Sequence, residues 1–181
     1  CSKVNGDGYG GCDGAVAMGD YTTCAILADG ALKCWGWDVH GQIGYNKGGH
    51  YGPQGEAVDL GVGRTAVWVD TYSSTTCAAL DDGTVKCWGR GLHVGLDAGL
   101  GYGDGASYHR SPPADLAIGF GDGERAVAVA VCHQNRCALL ASGKVKCWGR
   151  SVLGETGIGI SCKTKGVCNQ RDTMATVVSQ P

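Results

Sequence analysis

Cys24-Ala-Ile-Leu-Ala-Asp-Gly-Ala-Leu-Lys-Cys34-Trp35-Gly36 sets a pattern that recurs twice more along the chain, as Cys77 to Gly89 and as Cys137 to Gly149. In every copy the two cysteines lie ten positions apart, and a glycine (Gly30, Gly83 or Gly143) follows the first cysteine by six. Self-similarity of this kind marks a repeat architecture. Within one copy, Cys24 to Leu27 is a short apolar run of strand length, Ala28-Asp29-Gly30 is a turn, and Ala31 to Trp35 is the return strand. A three-residue hairpin loop ends in a left-handed residue, which glycine adopts with least strain. Asp81-Asp82-Gly83 and Ala141-Ser142-Gly143 supply the same turn in the other copies.

The turn fixes the register. With the hairpin centred on the middle loop residue, Leu27 faces Ala31 and Cys24 faces Cys34; the same count pairs Cys77 with Cys87 and Cys137 with Cys147. Directly opposed cysteines lie within disulfide reach. The competing readings are two buried free thiols per hairpin, or a metal site, but a ten-residue spacing without a nearby His pair is not a zinc pattern.

The rest of each period is also readable. An alternating or apolar run precedes each hairpin: Ala15 to Met18, Ala66 to Val69, Ala126 to Val131. A glycine turn follows each: Gly41-Gln-Ile-Gly-Tyr45, Ala98-Gly-Leu-Gly-Tyr102, Gly154-Glu-Thr-Gly-Ile158. A fourth apolar run closes the unit: Ala57 to Leu60, Ala114 to Ile118, Met174 to Val178. Each unit is thus expected to hold four short strands, A to D, and four-stranded units repeated radially make β-propeller blades. No segment has a 3.6-residue helical period, so the fold class is all-β. A Gly/Asp-rich segment occupies residues 1–13, a single domain of three repeats (about 14–61, 62–119 and 120–178) follows, and 179–181 is a tail.

The string Cys-Ala-x-Leu-x-x-Gly-x-Val-Lys-Cys-Trp-Gly with its following glycine turns resembles the regulator of chromosome condensation repeat family, over nearly the whole span from Gly14 to Val178. The paired cysteines resemble secreted, cysteine-containing members rather than nuclear ones. The resemblance implies a propeller, in the family typically seven-bladed, that binds proteins; exchange-factor or enzyme-inhibitor roles are implied by analogy alone. The chain departs from the family pattern where Cys132 and Tyr72 replace the glycine usual before strand B, around Leu92 to Val94 where repeat two carries extra residues, and at Arg136, which stands where the other repeats have Thr23 and Thr76.

Composition narrows the function. A formal charge of −2 provides no electrostatic footprint for nucleic acid. No apolar run is long enough for a membrane span. Eleven cysteines argue for an oxidising, extracellular or cell-surface setting. The absence of an initiator Met suggests a processed chain or a fragment. Five cysteines lie outside the hairpins. Cys162 and Cys168 flank a short Lys-rich loop and are expected to pair; Cys1 and Cys12 flank a Gly-rich loop and form a second candidate pair. Cys1-Ser2 also resembles a bacterial lipoprotein start, and a lipid anchor at Cys1 would leave Cys12 and Cys132 to pair or stay free. Cys132 is otherwise the odd cysteine, read either as a buried free thiol in strand A or as an intermolecular link.

No catalytic constellation and no cofactor motif emerges. Asn5, Asp7 and Asp13 offer oxygen ligands in a Gly-rich stretch, but the first position is an amide and a distal bidentate Glu is missing, so the match to a calcium loop is poor. His40, His50, His93, His109 and His133 fall mainly in loops without ligand spacing, and His133 beside Cys132 on one strand would point to the opposite face. Trp35, Trp88 and Trp148 recur at one blade position, which implies packing. Contact residues are sought among non-repeated aromatics, namely Trp37, Trp68, Tyr51, Tyr72 and Tyr108, together with Cys132. Trp37 stands out because Arg90 and Arg150 hold its place in the other repeats.

Three blades do not close a ring of the usual size. An open arc is completed by further sequence, by a second chain in a six-blade ring, or by end-to-end association into a filament. The expectation is therefore a secreted, non-enzymatic structural or self-assembling subunit whose partners are other copies of itself or another protein, with a protein- or glycan-binding module as the alternative.

Overall fold

The computed structural model describes residues 15–47, 49–52, 55–90, 108–121, 123–132, 135–149 and 175–177. These form three antiparallel four-stranded sheets, with sheet order following chain order in each. Blade 1 comprises β1 (Val16–Met18), β2 (Thr22–Ile26), β3 (Leu32–Trp37) and β4 (His50–Tyr51). Blade 2 comprises β5 (Ala66–Tyr72), β6 (Thr75–Leu80), β7 (Val85–Arg90) and β8 (Tyr108–His109). Blade 3 comprises β9 (Ala126–Val131), β10 (Asn135–Leu140), β11 (Val145–Gly149) and β12 (Ala175–Val177). The blades form an open arc: β5 packs on β1 and β2, and β9 packs on β5 and β6. The described residues contain no helix long and apolar enough to cross a membrane.

The central hairpins carry the register set by the turn. Cys24 lies opposite Cys34, Cys77 opposite Cys87 and Cys137 opposite Cys147. Each pair is a disulfide with a Cα–Cα distance of 4.0 Å. The loops close identically: Leu27 N donates to Ala31 O and Gly30 N to Leu27 O, each at 2.9 Å, and the same pair of bonds forms at Leu80 and Leu140. Gly30, Gly83 and Gly143 take φ of 80°, 83° and 83°.

The outer strand departs from the expected layout. Ala57 to Leu60 and Ala114 to Ile118 are not strands of a full ladder. They touch the start of strand C once, through Val58 N to Leu32 O at 2.7 Å and through the Val85–Ile118 bridge. The outer ladder at the other end of strand C is made by two residues from the preceding loop, with Tyr51 opposite Gly36, His50 opposite Trp37, His109 opposite Gly89 and Tyr108 opposite Arg90. In blade 3 the late apolar run does form the outer strand, and Val177 pairs with Val145. Strand A is longer than expected in blade 2, reaching Tyr72, and carries a register shift between Ala66 and Trp68.

Two apolar cores lie between the blades. The first joins Cys24, Cys34, Leu32, Ile43, Val58 and Leu60 of blade 1 to Val69, Ala78, Leu80 and Trp88 of blade 2. The second joins Cys77, Ala79, Val85 and Cys87 of blade 2 to Phe120, Val129, Ala138, Leu140 and Trp148 of blade 3. Residues directly opposed on paired strands share a face. Blades 1 and 2 therefore present their disulfide faces to the following blade, and blades 2 and 3 their Trp faces to the preceding one.

Candidate functional site

The internal interface shows what each blade face is built to hold. From the Trp face of blade 2, the Trp88 Nε1 donates to Gln42 O at 2.9 Å, and the Thr76 hydroxyl donates to the same oxygen at 2.9 Å. Gln42 lies in the Gly41-Gln-Ile-Gly44 turn of blade 1. That turn is held by Ile43 N donating to the buried Asp38 Oδ1 at 2.9 Å. Gly41, at φ 83°, must be glycine, because a Cβ there would lie 2.2 Å from the Arg110 Cα of blade 2. The turn is thus wedged between blades, a role the sequence marks only by the recurrence of its glycines.

The disulfide face is built around the hairpin turn. Gly30 O accepts from Ala66 N at 3.0 Å and Gly83 O accepts from Ala126 N at 2.8 Å, each bond running from one blade to the next. A Cβ on Gly30 would meet the Thr65 Cβ at 2.7 Å, and one on Gly83 would meet the Arg125 Cβ at 2.6 Å. The Arg125 guanidinium also donates to Asp82 O at 3.0 Å and to Asp81 O at 2.5 Å. Between blades 2 and 3 a carboxylate adds a further tie: Val131 N donates to Asp70 Oδ2 at 2.6 Å, and Thr71 N donates to Asp70 Oδ1 at 2.9 Å. Partial burial raises the Asp70 pKa above the ordinary carboxylate value, against the lowering effect of these two bonds.

Arg136, in place of Thr76, fills the Trp face of blade 3. It is buried, its Nη2 donates to the Thr75 hydroxyl at 2.9 Å, and burial pushes its pKa down to about 10. Its Nε and Nη1 have no partner among the described residues.

At the two ends of the arc the same faces lie open among the described residues. Trp88 and Trp148 are fully buried, whereas Trp35, at the identical repeat position in blade 1, is only half-buried. Beside it Met18 is 77% exposed and Val16 51% exposed. On blade 3, Cys137 is half-buried and Leu139 is 43% exposed, where Cys77 and Ala79 of blade 2 are fully buried. A Cβ on Gly143 would meet nothing within 4 Å.

The candidate contact residues divide. Trp37 does join a surface cluster: its ring lies 5.3 Å from Tyr21 and 5.5 Å from His40, both edge to face, at the end of the hairpin away from the Asp29-Gly30 turn. Tyr21 and His40 are partners the sequence did not single out. Trp68 packs, partly buried, against the core between blades 2 and 3. Tyr72 ends β5 on the surface, and Tyr51 and Tyr108 lie in the outer strands. Cys132 is exposed and free rather than buried, because it stands one residue past the buried Val131 that ends β9. Asn5, Asp7, Asp13, Cys1, Cys12, Cys162 and Cys168 lie outside the described residues.

Residues 15–42 match the regulator of chromosome condensation (RCC1) repeat. The fold is similar to human WBSCR16, with a TM-score of 0.65 at 22% identity over 81% of this chain and 35% of that one. It is likewise similar to Saccharomyces cerevisiae Prp20p, studied for its binding to Gsp1p and histones (TM-score 0.63, 19% identity, 80% of this chain and 34% of that one). Yeast RCC1 (Prp20) bound to Kap60 gives 0.64 at 18% identity, over 83% and 35% of the two chains. The chain therefore spans about a third of the length of each of these structures. Among curated proteins none matches it. The repeat matched at residues 15–42 has its four-stranded sheet built twice more in the same form, so the chain contains a stretch that matches the RCC1 repeat within an RCC1-like arc of blades.

Proposed function

We propose that the chain is a secreted, non-enzymatic structural subunit that works by associating with further copies of itself through the ends of its blade stack. The observation that carries this reading is the contrast between blade 2, sandwiched on both faces, and the Trp35 face of blade 1 and disulfide face of blade 3, which repeat the buried surfaces yet lie open among the described residues. Apolar sheet faces of this kind are ordinarily covered by partner surfaces. Three hairpin disulfides favour an oxidising compartment, and the protein partners named for Prp20p favour a protein partner of some kind here. Size-exclusion chromatography with light scattering over a dilution series tests the reading. Masses at multiples of one chain are expected, and a monomer at every concentration overturns it.

The Tyr21–Trp37–His40 cluster favours a second reading, a protein- or glycan-binding loop face. A monomer that retains a ligand, and loses it on Trp37→Ala, would support that reading instead.

A further inference from the structure

The geometry points to a head-to-tail joint in which the disulfide face of blade 3 on one copy receives the Trp35 face of blade 1 on a second copy. This rests on the self-association proposed above and specifies its surfaces and polarity. Two interfaces already built inside the chain set the pattern for this joint. In both, a disulfide face meets a Trp face, never its own kind. Among the described residues blade 1 leaves its Trp face and blade 3 its disulfide face uncovered, and a second copy offers the complement of each.

The seats are specific. On the receiving side, Cys137, Leu139 and Val145 repeat Cys77, Ala79 and Val85, all three of which are buried against the following blade. Gly30 and Gly83 each leave room for a side-chain stem of the following blade, and Gly143 has the same backbone with that room unfilled among the described residues. The carbonyls of Gly30 and Gly83 accept a backbone N–H across the joint, and no described residue donates to Gly143 O. On the entering side, Thr23 and Trp35 lie opposite each other, as Thr76 and Trp88 do in the internal interface. Ala25 lies two residues along the same face of β2 as Thr23. A contact that joins two different faces is heterologous, and it yields a closed ring or an open filament according to its rotation.

Two charge insertions test the joint. Leu139→Glu spoils only the receiving face, and Ala25→Glu only the entering face. Val62→Glu, at a fully exposed site of the loop before β5, is the control. Far-ultraviolet circular dichroism and the mass-mapped hairpin disulfides confirm folding. Each face variant is expected to weaken self-association at least tenfold while Val62→Glu leaves it unchanged. Mixed together, Leu139→Glu and Ala25→Glu should give one-to-one dimers, because each keeps the face the other has lost. If the unmodified chain is monomeric, the self-association reading falls and the joint with it. If it associates but both variants associate equally well, or the mixture stays monomeric, the joint is wrong and self-association stands.

Discussion

The Trp88 indole of blade 2 donates to the Gln42 carbonyl of blade 1 across 2.9 Å, at a position where both groups are fully buried. Trp35 holds the same place in its repeat but is only half-buried. Equal sequence therefore carries unequal energy. At dilutions that keep the chain monomeric, Trp88→Ala is expected to cost about 3–5 kcal/mol of stability, and Trp88→Phe, which deletes the hydrogen bond, about 1 kcal/mol. Trp35→Ala should cost less than half as much as Trp88→Ala. Urea denaturation compares the three, and equal costs at Trp35 and Trp88 would contradict the blade order.

The disulfides should differ in accessibility. Cys24, Cys34, Cys77 and Cys87 are fully buried between blades, whereas Cys137 is half-buried at the open face. Mild reductant without denaturant should open Cys137–Cys147 first, as read by differential alkylation and mass mapping, and assembly should protect it. Each hairpin bond is worth about 2–3 kcal/mol by the chain-entropy account, so full reduction should lower the midpoint of unfolding sharply.

Two glycines of identical φ separate backbone strain from crowding. Gly83→Ala and Gly143→Ala both place a Cβ at φ 83°, which costs about 1–2 kcal/mol. Only Gly83→Ala also drives that Cβ into Arg125, which adds about 1–3 kcal/mol of overpacking. In the monomer, thermal unfolding should rank Gly83→Ala as clearly the more damaging.

Asp70 gives a pH signature. Burial raises its folded pKa, so its contribution to stability is fully present below the unfolded pKa and is lost as pH rises through the folded value. Asp70→Asn has no such titration. The stability of the unmodified chain relative to Asp70→Asn should therefore fall as pH rises from the acid side of the carboxylate range toward neutrality. Urea midpoints for the two proteins across that range check the slope, and a flat or opposite difference would contradict the environment described for Asp70.

The parts of the blade legible in the sequence are those where one residue type has one physical meaning. Gly30, Gly83 and Gly143 fix the turn, and the turn fixes the cysteine register. The outer strand was not legible because its ladder at His50–Tyr51 and Tyr108–His109 is backbone pairing with no apolar signature, while the apolar runs serve packing, Val58 making one backbone hydrogen bond and Ile118 one bridge. Nor does a tryptophan announce its surroundings. Trp68 and Trp37 read alike as non-repeated aromatics, yet one packs on the core between blades and the other joins the surface rings of Tyr21 and His40. The exposure of Cys132 depended on where β9 stops, which local composition does not fix.

Electron micrographs of the chain, prepared above the concentration at which light scattering registers association, show whether blade 3 of one copy meets blade 1 of the next. Rings or filaments are expected in which blade follows blade without a break at the chain junctions. Fields that hold no assembled particle at any concentration, or dimers joined through like faces, would contradict that joint.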